Sequence, residues 1–268
     1  MKFYEGCTAL ITGASSGLGA EFARQLAPYA ARLVLVARRS DRLESLKGEL
    51  EKCHSGLQVS FYVADLADSP ARVALVEWLA RESLSIDLLV NNAGLGDHGP
   101  FSEGRWDRVK AMLDVNITAL THLTHLMLPS MLAGGRAAIL NVSSVASFFP
   151  LPSMAVYSAT KAYVTSLSEA LAIELRPHGV TVTALCPGPV PTEFFRVAER
   201  QEGRRPHYES MSAFVVSPEE AVRTGLEAVA KGRARSIPGG LLALAVGAAL
   251  LVPFFITREI LRASSKRL

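Results

Sequence analysis

Tyr157 and Lys161 stand four residues apart in the stretch YSATK. One turn of α-helix takes about 3.6 residues, so the two side chains share a face. A phenol held beside an ammonium has its charged form favoured, and its pKa is expected to fall. Such a pair suits general acid–base chemistry near neutral pH. A second candidate lies near the N-terminus, in TGASSGLG. There Gly13, Ser15, Ser16, Gly17, Leu18 and Gly19 lead from an apolar run into a helical one. Small residues let the backbone approach a ligand, and a helix N-terminus favours anions, which makes this turn a candidate phosphate site. A glycine triplet is weak by itself and gains weight from its place between a first strand and a first helix.

A third candidate follows about twenty residues later. A chain that binds NAD carries an acid there for the ribose 2′-hydroxyl, but this one reads Ala37-Arg38-Arg39. Arginine binds phosphate bidentately, so two guanidiniums suit a 2′-phosphate, and the expected cofactor is NADP(H) rather than NAD(H). The nearest acid, Asp41, opens a DRLE sequence of capping-box form, which places it at the start of the next helix. The alternative is that Arg38 and Arg39 only cover the end of the sheet.

The elements that must position these residues are legible as an alternation. Short β-type runs at 8–12, 32–37, 59–64, 87–91, 137–142 and 180–185 alternate with helical patterns near 18–29, 42 onward, 70–82, 106–132, 155–175 and 218–231. The strands are continuous apolar runs rather than alternating ones, which means burial on both faces and a parallel sheet covered by helices. The βαβ rhythm predicts a doubly wound, Rossmann-like α/β fold in one domain over residues 1–240.

Composition excludes several classes. The 268 residues are 49% hydrophobic and 20% charged, which is globular and not disordered. The 28 basic and 25 acidic residues nearly balance, so nucleic acid is not an expected partner. Cys7, Cys53 and Cys186 are too few and too scattered for a disulfide framework or a metal site, and His122 and His125 lie in a packed helical pattern without acidic neighbours. No metal is expected. The N-terminus runs straight into a strand with no separate charged and apolar regions, so no signal peptide is expected. The expected location is cytoplasmic, with membrane association left open.

Taken together, TGASSGLG (12–19), Asp65-Leu66, NNAG (91–94), Asn116 in DVNIT, NVSS (141–144), YSATK (157–161) and PGPVPT (187–192) resemble the short-chain dehydrogenase/reductase family in order and spacing. The resemblance implies hydride transfer between NADP(H) and a carbonyl or secondary alcohol. Tyr157 would be the acid/base, and Lys161 would bind the nicotinamide ribose and lower the tyrosine pKa. Ser144, rather than its neighbour Ser143, would hold the carbonyl oxygen. Asn116 would hold a water near Lys161 in a proton relay. Asp65 and Leu66 would meet the adenine, and Asn92, Ala93 and Gly94 the adenine ribose side, with Asn91 supporting the central strand. Thr192, after Pro187 and Gly188, would hold the nicotinamide carboxamide. Cys186 fills space at a strand end. The alternative function is a nucleotide-sensing or scaffolding protein without turnover.

Two regions leave the substrate open. Residues 194–214 form the expected lid and carry Arg204, Arg205 and His207, which suit either an acidic substrate or a solvated lid. Phe148, Phe149, Leu151 and Met154 flank the serine and suggest an apolar pocket wall, hence a hydrophobic ketone or aldehyde. Residues 241–268 form an apolar extension with a basic tail, suited either to a membrane surface or to a pocket-closing or interface helix. A homodimer is the default assembly.

Overall fold

The computed structural model describes residues 2–135, 137–200 and 214–265. Most of the expected lid, with Arg204, Arg205 and His207, lies outside the described residues, as do Lys266 and Arg267. Seven strands form one parallel sheet: β1 (Thr8–Thr12), β2 (Arg32–Ala37), β3 (Gln58–Val63), β4 (Leu88–Asn91), β5 (Ala137–Val142), β6 (Val180–Leu185) and the short β7 (Arg235–Ser236). Their order is β3-β2-β1-β4-β5-β6-β7. Successive side chains alternate between faces. Ala9 and Ile11 of β1 therefore join one core, while Leu10 joins the other.

The first core is closed by α1 (Gly17–Leu26), α2 (Ser40–Cys53) and α8 (Pro218–Ala230), through Phe22, Leu26, Leu43, Leu46, Leu226 and Val229. The second is closed by α3 (Ser69–Arg81), α5 (Leu120–Ala133) and α6 (Ala155–Leu175), through Leu75, Leu79, Leu123, Met127 and Leu175. The chain reverses its direction of travel across the sheet between β1 and β4. In open α/β sheets, ligands bind in the crevice outside the strand ends at that switch. The glycine turn follows β1, and Asn92-Ala93-Gly94 follow β4.

Two expectations change. The helix expected from Arg42 begins at Ser40, with Arg39 at its cap position, so Asp41 sits in the first turn and makes no cap. The single helix expected over 106–132 is α4 (Trp106–Leu113) and α5, joined by a π-helical turn, Asp114–Ala119. After β6 come α7 (Glu193–Ala198) and, past α8, the helices α9 (Gly240–Leu250) and α10 (Phe254–Ser265). No single described helix is long and apolar enough to cross a membrane; Gly240–Leu250 and Phe255–Ala263 reach that length only as a pair bent by 110°.

Candidate active site

A polar seam along α6 explains why that helix reads as buried yet carries hydroxyls and an ammonium. Tyr157, Thr160, Lys161, Thr165 and Ser168 all lie on its buried face. The last four are met by β5, by the residue that follows it or by the π-helical turn. Ser168 Oγ accepts from Asn141 Nδ2 at 2.9 Å, and Asn141 Oδ1 accepts from Asn91 at 2.9 Å. Ser143 Oγ donates to the Lys161 carbonyl at 2.9 Å and lies 2.7 Å from Thr165 Oγ1. Asn116 Nδ2 donates to Thr160 Oγ1 at 3.0 Å. Buried polar groups need such partners, and this set fixes the rotation of α6 against the sheet. Asn91 is thereby structural.

The seam delivers Tyr157 and Lys161 to a cavity of about 580 Å³ that the glycine turn also lines. Lys161 Nζ donates to the Val142 carbonyl at 2.8 Å and stands 5.8 Å from the centre of the Tyr157 ring. The expected fall in the tyrosine pKa is not found. Burial pushes Tyr157 up to about 12, and the Ser144 hydroxyl pulls only weakly the other way. Burial also pushes Lys161 down to about 8. The low dielectric around both groups disfavours their charged forms and sets the direction of both shifts. Ser143 and Ser144 both line the cavity, but the Ser143 hydroxyl is buried and bonded to α6, which leaves the Ser144 hydroxyl as the one hydrogen-bonded toward Tyr157. Ser144 Oγ accepts from Ala146 N at 3.1 Å.

Asn116 does not reach the cavity lining. Its Oδ1 accepts from Leu95 N at 2.8 Å and its Nδ2 donates to Leu95 O at 2.9 Å, which pins the loop after β4. Gly94 passes between it and the lysine, since a Cβ there would lie 3.4 Å from Asn116 Oδ1 and 3.5 Å from Lys161 Nζ.

At the other end of the cavity, Gly13, Ser15, Ser16, Gly17, Leu18, Arg38, Arg39, Asp65, Leu66, Asn92, Ala93 and Thr192 line the wall, while Pro187, whose carbonyl lies 3.5 Å from Ser144 Oγ, and Gly188 line it beside the serine. Gly13 holds φ +65, and a Cβ on it would come within 2.9 Å of the Ala93 Cα. Gly19 is absent from the lining. A Cβ there would lie 2.2 Å from the Gly13 carbonyl, so its task is close helix–strand contact. No side chain caps α1. Its first N–H groups are therefore left for an anion. Thr12, unremarked in the sequence, is the hub of this end: its Oγ1 accepts from Asn92 N at 2.9 Å and Ala93 N at 3.0 Å.

The arginines behave differently from each other. Arg38 lies 3.7 Å from Asp65 and is mostly exposed. Arg39 donates to Ser15 Oγ at 3.1 Å and to Glu193 of α7 at 3.1 Å. That hydrogen bond, with the charges of Arg39, Arg42 and Arg196, holds the Glu193 carboxyl below the usual range. Glu193 was invisible in the sequence because its partner lies 154 residues away. The next residue, Phe194, packs its ring on Tyr157 at 5.6 Å. The apolar wall around Tyr157 comprises Leu95, Leu151, Met154, Val156 and Phe194 with buried Met112 and Ala146. Phe148 and Phe149 are not part of the lining. Phe148 lies instead against the Arg235 guanidinium at 5.2 Å.

Residues 7–203 match the short chain dehydrogenase family, and the chain belongs to it. It is 40% identical over 187 residues to the sulfoacetaldehyde reductase of Chromohalobacter salexigens, covering 69% of this chain and 72% of that one. The structure is similar to a short-chain dehydrogenase from Sphingobium yanoikuyae in complex with NADPH, with a TM-score of 0.78 and 33% identity over 96% of this chain and 95% of that one. It is equally similar to a family member from Burkholderia phymatum in complex with NAD, with a TM-score of 0.79 and 27% identity over 92% and 93%. Relatives thus take either nicotinamide nucleotide.

Proposed function

We propose that the protein is an NADP(H)-dependent reductase of apolar carbonyl compounds. The observation that carries this reading is the placement of Tyr157, in an apolar wall, in the same cavity as the uncapped α1 terminus and the paired arginines. The lining fits the nucleotide. The α1 N–H groups and glycine turn suit a diphosphate, Arg38 and Arg39 suit a 2′-phosphate, and no carboxylate ends β2 to hold a free 2′-hydroxyl. Lys161 and Thr192 would hold the nicotinamide half. Bound there, the reduced nicotinamide supplies a hydride.

The residues of the chain do the rest. Ser144 hydrogen-bonds the carbonyl oxygen as negative charge develops on it. Tyr157, protonated at neutral pH with its pKa pushed up to about 12, donates its proton to that oxygen. An alkoxide is a far stronger base than a phenolate, so the transfer runs downhill, which suits the reductive direction. The apolar wall and Phe194 keep water from the reacting oxygen and favour substrates with apolar flanks.

Loss of reduced-nicotinamide absorbance with NADPH and NADH, against carbonyls graded from small aldehydes to bulky ketones, tests this. Turnover preferring NADPH and rising with substrate apolarity is expected. Tight NADPH binding with no turnover of any carbonyl would support the sensing alternative instead.

A further inference from the structure

The chain carries a formal charge of +3, from 28 basic and 25 acidic residues. That whole excess lies at its C-terminal end. Residues 258–268 hold Arg258, Arg262, Lys266 and Arg267 against Glu259 alone; removing these four and this one leaves 24 basic and 24 acidic residues in 1–257. The stretch just before, 236–257, has no charged side chain at all.

The fold turns this sequence pairing into a surface. α9 and α10 meet at a 110° bend. Leu242 and Val246 hold α9 to the body, Leu242 lying against Gly188, and Leu261 of α10 lines the site cavity. The outer side and the bend are bare: Leu251 is 86% exposed, Leu244 71% and Phe255 67%. With Leu241, Leu250, Val252 and Ile256 they make seven of the fifteen large apolar side chains exposed on the described molecule, all within sixteen residues. Arg258 and Arg262 follow directly, both exposed. Such a concentrated apolar patch marks a contact surface. An apolar apex rimmed by cations, on a body that is otherwise neutral, is complementary to an acidic lipid bilayer. A second copy of this chain is a poorer occupant. A two-fold contact would bring the same basic tail to both sides, so like charges would face each other.

We propose that α9 and α10 seat the protein on an anionic lipid surface, and that the cavity they help to wall takes its carbonyl substrate from the lipid phase. The second half rests on the reductase reading above; the first does not. The full-length protein is to be sedimented with vesicles of phosphatidylcholine alone and of phosphatidylcholine mixed with phosphatidylglycerol. Binding to the acidic vesicles is expected, weakened by salt and roughly 100-fold weaker on phosphatidylcholine alone. Leu251→Asp combined with Phe255→Asp should lower it by about tenfold or more with no change in melting temperature, because both side chains are exposed. Arg258→Gln combined with Arg262→Gln should weaken binding to acidic vesicles only. No binding to acidic vesicles, binding unchanged in the aspartate variant, or a vesicle-free dimer that this variant splits would overturn the lipid surface. Acidic vesicles should raise kcat/KM for a long-chain ketone and leave a short water-soluble carbonyl unaffected. Equal rates with and without vesicles overturn delivery from lipid. Failure to turn over any carbonyl would sink the reductase reading instead, while sedimentation still decides the surface.

Discussion

The two ends of α7 are fastened by the same kind of bond in opposite surroundings. Just past its C-terminal end, Arg200 grips both oxygens of Asp97 at 2.6 to 3.2 Å and donates to the Pro100 carbonyl at 2.7 Å. Arg108 closes on the same carboxylate at 3.0 Å, and the Asp97 side chain is only 4% exposed. At the N-terminal end, Glu193 meets Arg39 at 3.1 Å and Arg42 at 3.9 Å in a pair that water reaches freely. Exposed ion pairs are worth about 0–1 kcal/mol, whereas stripping one partner from a buried pair costs about 3–5 kcal/mol. The buried end is therefore an anchor. The exposed end can exchange partners, and its Arg39 is also the candidate ligand of a 2′-phosphate.

Four variants break or sharpen this contrast. The largest effect is expected between the two ends, where Phe194 covers Tyr157. Tyr157→Phe keeps that ring contact and removes the proton donor, so kcat should fall by about 10²–10⁴-fold with nucleotide affinity unchanged. A matching loss of nucleotide binding would show that the hydroxyl holds the site together rather than serving as an acid. Next, Asp97→Ala leaves Arg200 and Arg108 facing each other without their carboxylate. A loss of about 3 kcal/mol in urea unfolding is expected, with a raised KM; a loss below about 1 kcal/mol would remove the distinction between the ends.

Lys161→Met carries the comparison from a buried carboxylate to a buried ammonium. Burial holds the folded-state pKa at about 8 against the ordinary lysine value of 10.5. Below pH 8 the folded protein bears the full cost of a buried charge. Between pH 8 and 10.5 it has shed a proton that the unfolded chain still holds, so stability rises with pH there. The methionine variant should thus be the more stable protein at pH 7, by up to about 3 kcal/mol less the cost of the unpartnered Val142 carbonyl. The gap should close as the pH approaches 10.5, and thermal melts across that range would show whether it does. The smallest effect is Glu193→Gln. Stability should move by less than about 1 kcal/mol, but NADPH should bind several-fold tighter while NADH is unaffected. Equal shifts for both nucleotides would mean that Glu193 and a 2′-phosphate do not share Arg39.

The contrast also marks what the sequence could show. Strands β1, β2, β5 and β6 match their apolar runs residue for residue, because burial on both faces writes itself as uninterrupted hydrophobicity. The glycine turn, Tyr157 and Lys161 were legible because their chemistry depends on short spacing. Glu193, Asp97 and Arg200 were not, since the bonds Arg39–Glu193 and Arg200–Asp97 each span more than one hundred residues. The direction of the Tyr157 shift was missed for a related reason. A neighbouring lysine can be read from a helical interval, whereas the desolvation that outweighs it comes from Leu95, Met112 and Phe194 on three other segments. Phe148 and Phe149 were assigned to the pocket on proximity in sequence, which says nothing about how the short turn carrying them is rotated.

The π-helical turn Asp114–Ala119 has a consequence for how the long helical stretch tolerates change. One extra residue shifts helical phase by about 100°. α4 and α5 are thus two reading frames spliced into one rod. In the first, Met112 joins the wall around Tyr157; in the second, Leu123, Met127 and Met131 seal the sheet. Deleting a single residue at the splice would leave a longer, more regular α-helix with every propensity intact. Both faces would stay turned inward; what the deletion would remove is the wide turn itself, which holds Asn116 against the loop after β4 and against Thr160.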